Sequence, residues 1–274
     1  MYIKSISAIS WIPLLLSSQI ATAQEGFDNI RVITGLSFGY SGFSFPEKLD
    51  HNISFPSANI PIVLAMDNWQ LSLNGNITLA DADIAEEEDI GEASRKDLDL
   101  ILGYRVTKNW SLFAGYKYAK TEMTFIPRDI DKKIDEENGE PEEQYTVEVI
   151  YESYSQKGPF IGASYSWQFE KAGRLSLSMA YASLDATNNF SANTDEEEEA
   201  DEITEFDGLT GQVKGDTKGF SYGLGWTMPL SSNLLFQTRY KVNDYQQDIV
   251  VDGESFKNIS ETFTTLHVGL AYVF

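Results

Sequence analysis

The 274-residue sequence contains no cysteine. A disulfide framework, a thiolate zinc site and a lipid attached at a processed cysteine are therefore excluded. It also lacks a helical membrane span, because after the first two dozen residues charges or turn residues interrupt every apolar stretch before about 18 residues. Basic residues are few, 20 Lys and Arg against 42 Asp and Glu, a balance that repels nucleic acid. Histidine is scarcer still, with only His51 and His267. Calcium-loop spacing is missing too: Asp81-Ala82-Asp83 and Glu196–Glu199 offer hard oxygen ligands without the turn glycine and terminal bidentate acid of an EF-hand. No metal site or cofactor is expected beyond weak divalent-cation binding at acidic connections.

What is present begins with Lys4 and the apolar run Ala8–Leu16, too short to span a bilayer. The triplet Ala21-Thr22-Ala23 puts small residues at the two positions a signal peptidase must accept. Residues 1–23 therefore read as a cleaved signal peptide and 24–274 as one domain. Any membrane crossing in that domain must be made by strands.

The strand signal repeats along the chain. In Trp69–Leu79, residues Trp69, Leu71, Leu73, Ile77 and Leu79 share one face, and Gln70, Ser72, Asn74, Asn76 and Thr78 the other. Such alternation marks a sheet with one apolar side. The pattern returns at 98–106, 110–118, 161–169, 175–181, 220–228, 234–242 and 262–274, and opens with 32–40 and 60–66. That makes ten strands, with eight and twelve as the even-numbered alternatives. Short connections at 67–68, 107–109, 170–174 and 231–233 alternate with longer ones near 46–52, 81–96, 125–146, 187–217 and 246–259. An up-and-down antiparallel transmembrane β-barrel requires that alternation, with all short turns at one end.

Alternation alone leaves open which face points outward. Trp69, Trp110, Trp167 and Trp226 each lie on the apolar face beside one of the four short turns. Indoles favour the headgroup level of a bilayer, so four at one height read as a membrane-interface girdle.

The last strand, LHVGLAYVF at 266–274, carries Tyr272 and ends on the aromatic Phe274. It resembles the terminal strand by which bacterial outer-membrane barrels are recognised during assembly. The hairpin GYRVTKNWSLFAGYKY at 103–118 is similar to those of small porin-like barrel families. The resemblance is to a class and implies export, use of the barrel-assembly machinery, contact with outer-membrane lipid and lipopolysaccharide, and both termini in the periplasm. Tyr272 and Phe274 would be the assembly signal.

Acidic residues cluster: seven in 81–92, eight in 129–143 and nine in 195–207, so 24 of the 42 lie in three long connections that the topology puts on the extracellular end. Inner-face candidates are Asp99, Arg105, Lys117, Arg239, Lys241 and His267, among many small residues such as Gly35, Gly39, Gly162, Gly223 and Gly269. A charge inside a narrow barrel must be paired or wet. Small residues leave room for water, which favours a porin-like channel for ions or small polar solutes behind an acidic mouth. The alternative is a non-conducting structural or surface-interaction barrel, and lumen filling separates the two.

Two enzymatic readings are disfavoured. Omptin proteases resemble this chain in ten-strand topology, and Asp81 and Asp83 could mimic a carboxylate pair, but the family's aspartate two residues before a histidine is absent here. A lipid-A deacylase would need a serine near a histidine, and Ser260 is too far along its strand from His267.

Overall fold

A computed structural model describes residues 30–44, 52–85, 89–127, 149–170, 172–193, 210–251 and 254–274. The segment 1–23, His51 and the acidic runs 129–143 and 195–207 lie outside these residues. The strand segments are β1 (Ile30–Ser44), β2 (Asn52–Met66), β3 (Trp69–Thr78), β4 (Ala82–Ala85), β5 (Asp89–Arg105), β6 (Trp110–Pro127), β7 (Val149–Phe169), β8 (Gly173–Asn193), β9 (Thr210–Pro229), β10 (Leu234–Val251) and β11 (Glu254–Val273). They form one antiparallel sheet in chain order, closed by pairing of β1 with β11. Segments β3 and β4 both pair with β5 and are two halves of one barrel strand. The wall is thus a closed all-β barrel of ten strands, and the short turns lie together at one end.

Alternation explains the wall near those turns. Leu98, Leu100 and Leu102 stand outward and exposed, whereas Asp97 and Asp99, which alternate with them, are buried. The same outward belt includes Leu36, Phe38, Ile62, Leu64, Leu71, Leu224 and Leu270. Asp67 takes a left-handed φ of 52° in the two-residue turn between β2 and β3, the backbone conformation that tight hairpins require.

The strands run further than the apolar alternation predicts. Much of what the sequence offers as connections at 81–96, 187–217 and 246–259 is strand: β5 begins at Asp89, β8 continues to Asn193, β9 begins at Thr210, and β10 and β11 stay paired up to Val251 and Glu254. The cause is an inversion of the pattern. Beyond the belt the outward side chains turn polar, as at Lys96, Lys120, Lys157, Asp185 and Lys218. The inward ones turn apolar, as at Phe43, Ile53, Phe55, Met123, Leu184 and Phe263. The ladder is continuous, but the cue that marks a membrane strand changes sign where the wall leaves the apolar zone.

The inner glycines have two different causes. A Cβ at Gly39 would lie 1.7 Å from the Leu266 carbonyl oxygen, and one at Gly269 would lie 2.1 Å from that of Leu36. These positions need glycine because adjacent backbones of a strongly coiled wall approach closely. At Gly223 a Cβ would meet only the Ser178 hydroxyl closer than 3 Å, so there the glycine does widen the bore.

Candidate functional site

The bore is where chemistry or passage would occur, and it is filled in layers. The layer at the long-hairpin end is apolar: Phe43, Ile53, Phe55, Ala82, Ala93, Met123, Tyr154, Ala186 and Phe263 form one buried cluster. Arg95 is embedded beside it with a side chain only 1% exposed. Its Nε donates to both Asp97 carboxylate oxygens at 3.2 and 3.3 Å, Nη2 donates to Asp97 Oδ1 at 3.1 Å, and Nη1 donates to Thr121 Oγ1 at 3.0 Å. The guanidinium centre lies 4.1 Å from the Phe263 ring centroid and 5.5 Å from that of Phe43. A planar cation suits this place because it can stack on rings while its edge binds a carboxylate. Glu261 completes the layer, accepting from Gln156 Nε2 at 2.6 Å and from the Tyr154 hydroxyl at 2.8 Å.

Below it is an ionic layer. Lys117 donates to Asp99 Oδ1 at 3.1 Å and approaches Asp97 to 3.7 Å. Lys241 donates to the other Asp99 oxygen at 3.0 Å. Since β5 and β10 lie on opposite sides of the ten-strand ring, the Asp99–Lys241 bond crosses the whole bore. Each carboxylate is shared by two cations, the arrangement that makes burial of charge tolerable.

Beneath this layer is a chamber of about 200 Å³, adjoined by a space of about 130 Å³ that shares Asp99, Lys117 and Lys241. Polar side chains enter its lining from β2, β3, β8, β9 and β10, among them Asn59, Asn74, Ser176, Ser221, Gln237 and Arg239. Arg239 meets only neutral acceptors: Asn59 Oδ1 at 3.5 Å, Asn74 Oδ1 at 3.4 Å and Gln237 Oε1 at 3.2 Å. His267 Nε2 is 2.8 Å from Ser57 Oγ, which in turn is 2.8 Å from Ser41 Oγ. Towards the short turns the bore narrows again on Ile33, Val63, Leu235 and Ala271, with Arg174 buried on β8.

The six inner-face candidates therefore separate. Asp99, Lys117 and Lys241 meet in the ionic layer, and Arg239 and His267 line the chamber. Arg105 is at the short-turn rim, with Nη2 donating to Asn68 Oδ1 at 2.6 Å and to the Asp67 carbonyl at 3.2 Å. Sequence reasoning missed Arg95 because it falls in the stretch taken as a connection. It also missed Asp97, although the period of two from Asp99 places both on one face. The serine beside His267 is Ser57, on another strand. Ser260, seven residues from His267, is exposed on the opposite face of β11. A Ser–His pair is chemically suggestive, but Ser57 is fully buried, and its hydroxyl serves the hydrogen-bond chain to Ser41.

The four tryptophans stand on the outer surface at the short-turn end. Trp69 packs on Tyr104, Trp110 on Tyr165, Trp167 on Tyr165 and Trp226 on Phe236. The Trp226 indole N–H donates to the Ala172 carbonyl at 2.7 Å. Tyr272 and Phe274 extend this band, their ring centroids 4.9 Å apart.

A family model described as the outer membrane protein beta-barrel domain matches residues 13–274. Similar solved structures include the outer membrane protease OmpT from Escherichia coli, at 15% identity and a TM-score of 0.50, covering 92% of this chain and 99% of that one. Another is the translocator domain of the autotransporter NalP from Neisseria meningitidis, at 11% identity and a TM-score of 0.50, covering 90% and 89%. At such identities the likeness is one of fold. No curated protein matches the sequence.

Proposed function

The chain belongs to the outer membrane protein beta-barrel family, and from that premise we propose that it is a closed barrel acting at the cell surface through its tall hairpins, rather than an open diffusion pore. One observation carries the reading. Among the described residues the bore is crossed by the Asp99–Lys241 bond and, above it, by the Arg95–Phe263 layer, and these two levels support a bore closed to hydrated solutes.

In this reading the short turns, the tryptophan band and both termini face the periplasm, and the long hairpins with their acidic segments face outward. Export through the assembly machinery by way of Tyr272 and Phe274 is part of the same proposal. The outer leaflet would meet Lys96, Lys120 and Lys157, three outward lysines on adjacent strands just past the apolar belt. Lys96 and Lys120 face each other across β5 and β6 with Glu122 bonded to both. Like charges directly opposite are unfavourable on a sheet, and phosphate groups of lipopolysaccharide would offset them.

A porin-like role is the second reading, favoured by the chamber itself, which leaves the lower half of the bore roomy. Planar-bilayer conductance of the refolded protein, at low and high salt, separates the two. The closed reading expects no steady conductance from wild type. It expects conductance to appear only when both levels are opened, as in Phe43→Ala/Phe263→Ala combined with Lys241→Ala, which removes two rings from the plug and the bond across the bore. Steady, ion-selective conductance from wild type would refute it.

A further inference from the structure

We infer that the chamber beneath the ionic layer is a binding site for a small oxyanion, of the carboxylate or phosphate class, held by Arg239. The inference goes beyond the surface role and does not depend on it.

The first support is charge balance within the bore. Asp97 is taken by Arg95 and Lys117, and Asp99 by Lys117 and Lys241. Glu261 is held by Tyr154 and Gln156. Arg239 lies on the chamber side of these groups, and no ion pair joins it to a carboxylate among the described residues. A half-buried guanidinium whose acceptors are amide oxygens at 3.2–3.5 Å is partly withdrawn from water without a counter-charge, which is costly.

The second support is independent. Arg174, 3% exposed, holds its Nε and Nη1 without any hydrogen-bond partner in the protein. Its strand partner Thr227 lines the chamber, so Arg174 lies next to that lining on the β8–β9 side. A half-buried arginine that lines the cavity and a buried arginine next to that lining thus both carry donors without anionic acceptors among the described residues.

The third is space and chemistry. A cavity of about 200 Å³ holds an ion of a few heavy atoms. A planar guanidinium fork matches two oxygens of a carboxylate or phosphate better than it matches a single amide oxygen. The amide nitrogens of Asn74 and Gln237 are donors available to the remaining oxygens after a side-chain flip; that of Asn59 already donates to the Gly75 carbonyl at 3.0 Å.

The test uses the full barrel refolded in detergent, with the midpoint of thermal loss of the compact form read on gels. Sodium acetate and sodium phosphate are titrated at constant ionic strength against sodium chloride. Wild type should show a saturable rise of several degrees with the oxyanions, and Arg239→Gln should lose it. Should Arg239→Gln fail to fold, Asn74→Asp gives a second arm, since it places a carboxylate where Asn74 Oδ1 now lies 3.4 Å from Arg239. That variant should melt higher than wild type without added oxyanion and respond to it no further. An equal, unsaturable response in wild type and both variants would mean general surface screening and would overturn the inference. So would an Asn74→Asp variant that melts lower and still responds.

Discussion

Removing either member of the Arg95–Asp97 pair should give unequal costs, because the two are not equally supported. At 3.1 Å, and with an effective dielectric of about 20, the pair attraction is roughly 5 kcal/mol. In Arg95→Met the Asp97 carboxylate keeps Lys117 at 3.7 Å, an attraction of roughly 4 kcal/mol on the same scale. In Asp97→Asn the buried guanidinium keeps its hydrogen bond to Thr121, a neutral amide oxygen at residue 97, the more distant Glu261 charge and two aromatic faces, but no paired carboxylate. Each face is worth about 1 kcal/mol. Lys117 meanwhile retains Asp99. Breaking a buried pair from one side costs about 3–5 kcal/mol. Arg95→Met should therefore fall near the bottom of that range and Asp97→Asn near the top. The double variant, which buries neither charge alone, should cost about 3 kcal/mol, well short of the sum of the singles. Urea unfolding in phospholipid vesicles, followed by fluorescence of the four outward tryptophans, measures all three. Costs that add to within about 0.5 kcal/mol, or a larger loss in Arg95→Met than in Asp97→Asn, would refute the assignment of Lys117 as a second support.

Phe274→Ser keeps the backbone bond from residue 274 to the Val32 carbonyl but removes a ring that is 70% exposed and packed on Tyr272. Synthesis and signal cleavage should continue while the heat-modifiable form accumulates more slowly; wild-type assembly kinetics would count against an assembly role. A cysteine replacing exposed Lys108 should resist an impermeant thiol reagent on intact cells and react after outer-membrane permeabilisation, and labelling of intact cells would reverse the proposed orientation. Glu122→Gln removes the carboxylate that bonds Lys96 and Lys120, so purified protein should retain more lipopolysaccharide phosphate by phosphorus assay. The Lys120 bond, and its charge, hold the Glu122 carboxyl below the usual carboxylate range. The Glu122–Lys120 contact is therefore fully formed above the ordinary carboxylate value and is lost as pH falls through the depressed one. Wild type should approach the variant's retention only at that acidic end, and an identical pH profile in both would contradict the role.

The wall near the short turns was legible in the sequence because one physical rule governs it: apolar residues face the surroundings at every second position. Leu98–Val106 follows that rule without interruption and Trp69–Leu79 with Gly75 as its one gap, and their structure follows the alternation. The upper wall was not legible because two solvents act on one strand. In β8 the outward series Leu177, Met179 and Tyr181 gives way to Ser183 and Asp185, while Leu184 and Ala186 turn inward. Summed over the strand, the two patterns cancel. The ionic layer was half legible. Charged residues on the inner face were visible at Asp99, Lys117, Arg239 and Lys241, but their partners depend on which strands oppose each other across the ring. That information is in the strand count and closure rather than in any local segment, and it is why Asp99–Lys241, separated by 142 positions, could not be read from spacing.

The height of the wall changes how the two charged zones on its outer side can interact. Strand β6 continues from Lys120 to Pro127, and β7 from Lys157 back to Val149. Seven or eight residues at about 3.3 Å each, tilted about 40°, raise those ends roughly 20 Å above the lysines. The Debye length in physiological salt is about 8 Å. The described ends of β6 and β7 thus stand more than two screening lengths from the lysine level. A lipid phosphate drawn to Lys96 and Lys120 would be electrostatically deaf to charge held at the height of those strand ends, so one wall can present separate electrostatic zones at its waist and at its rim.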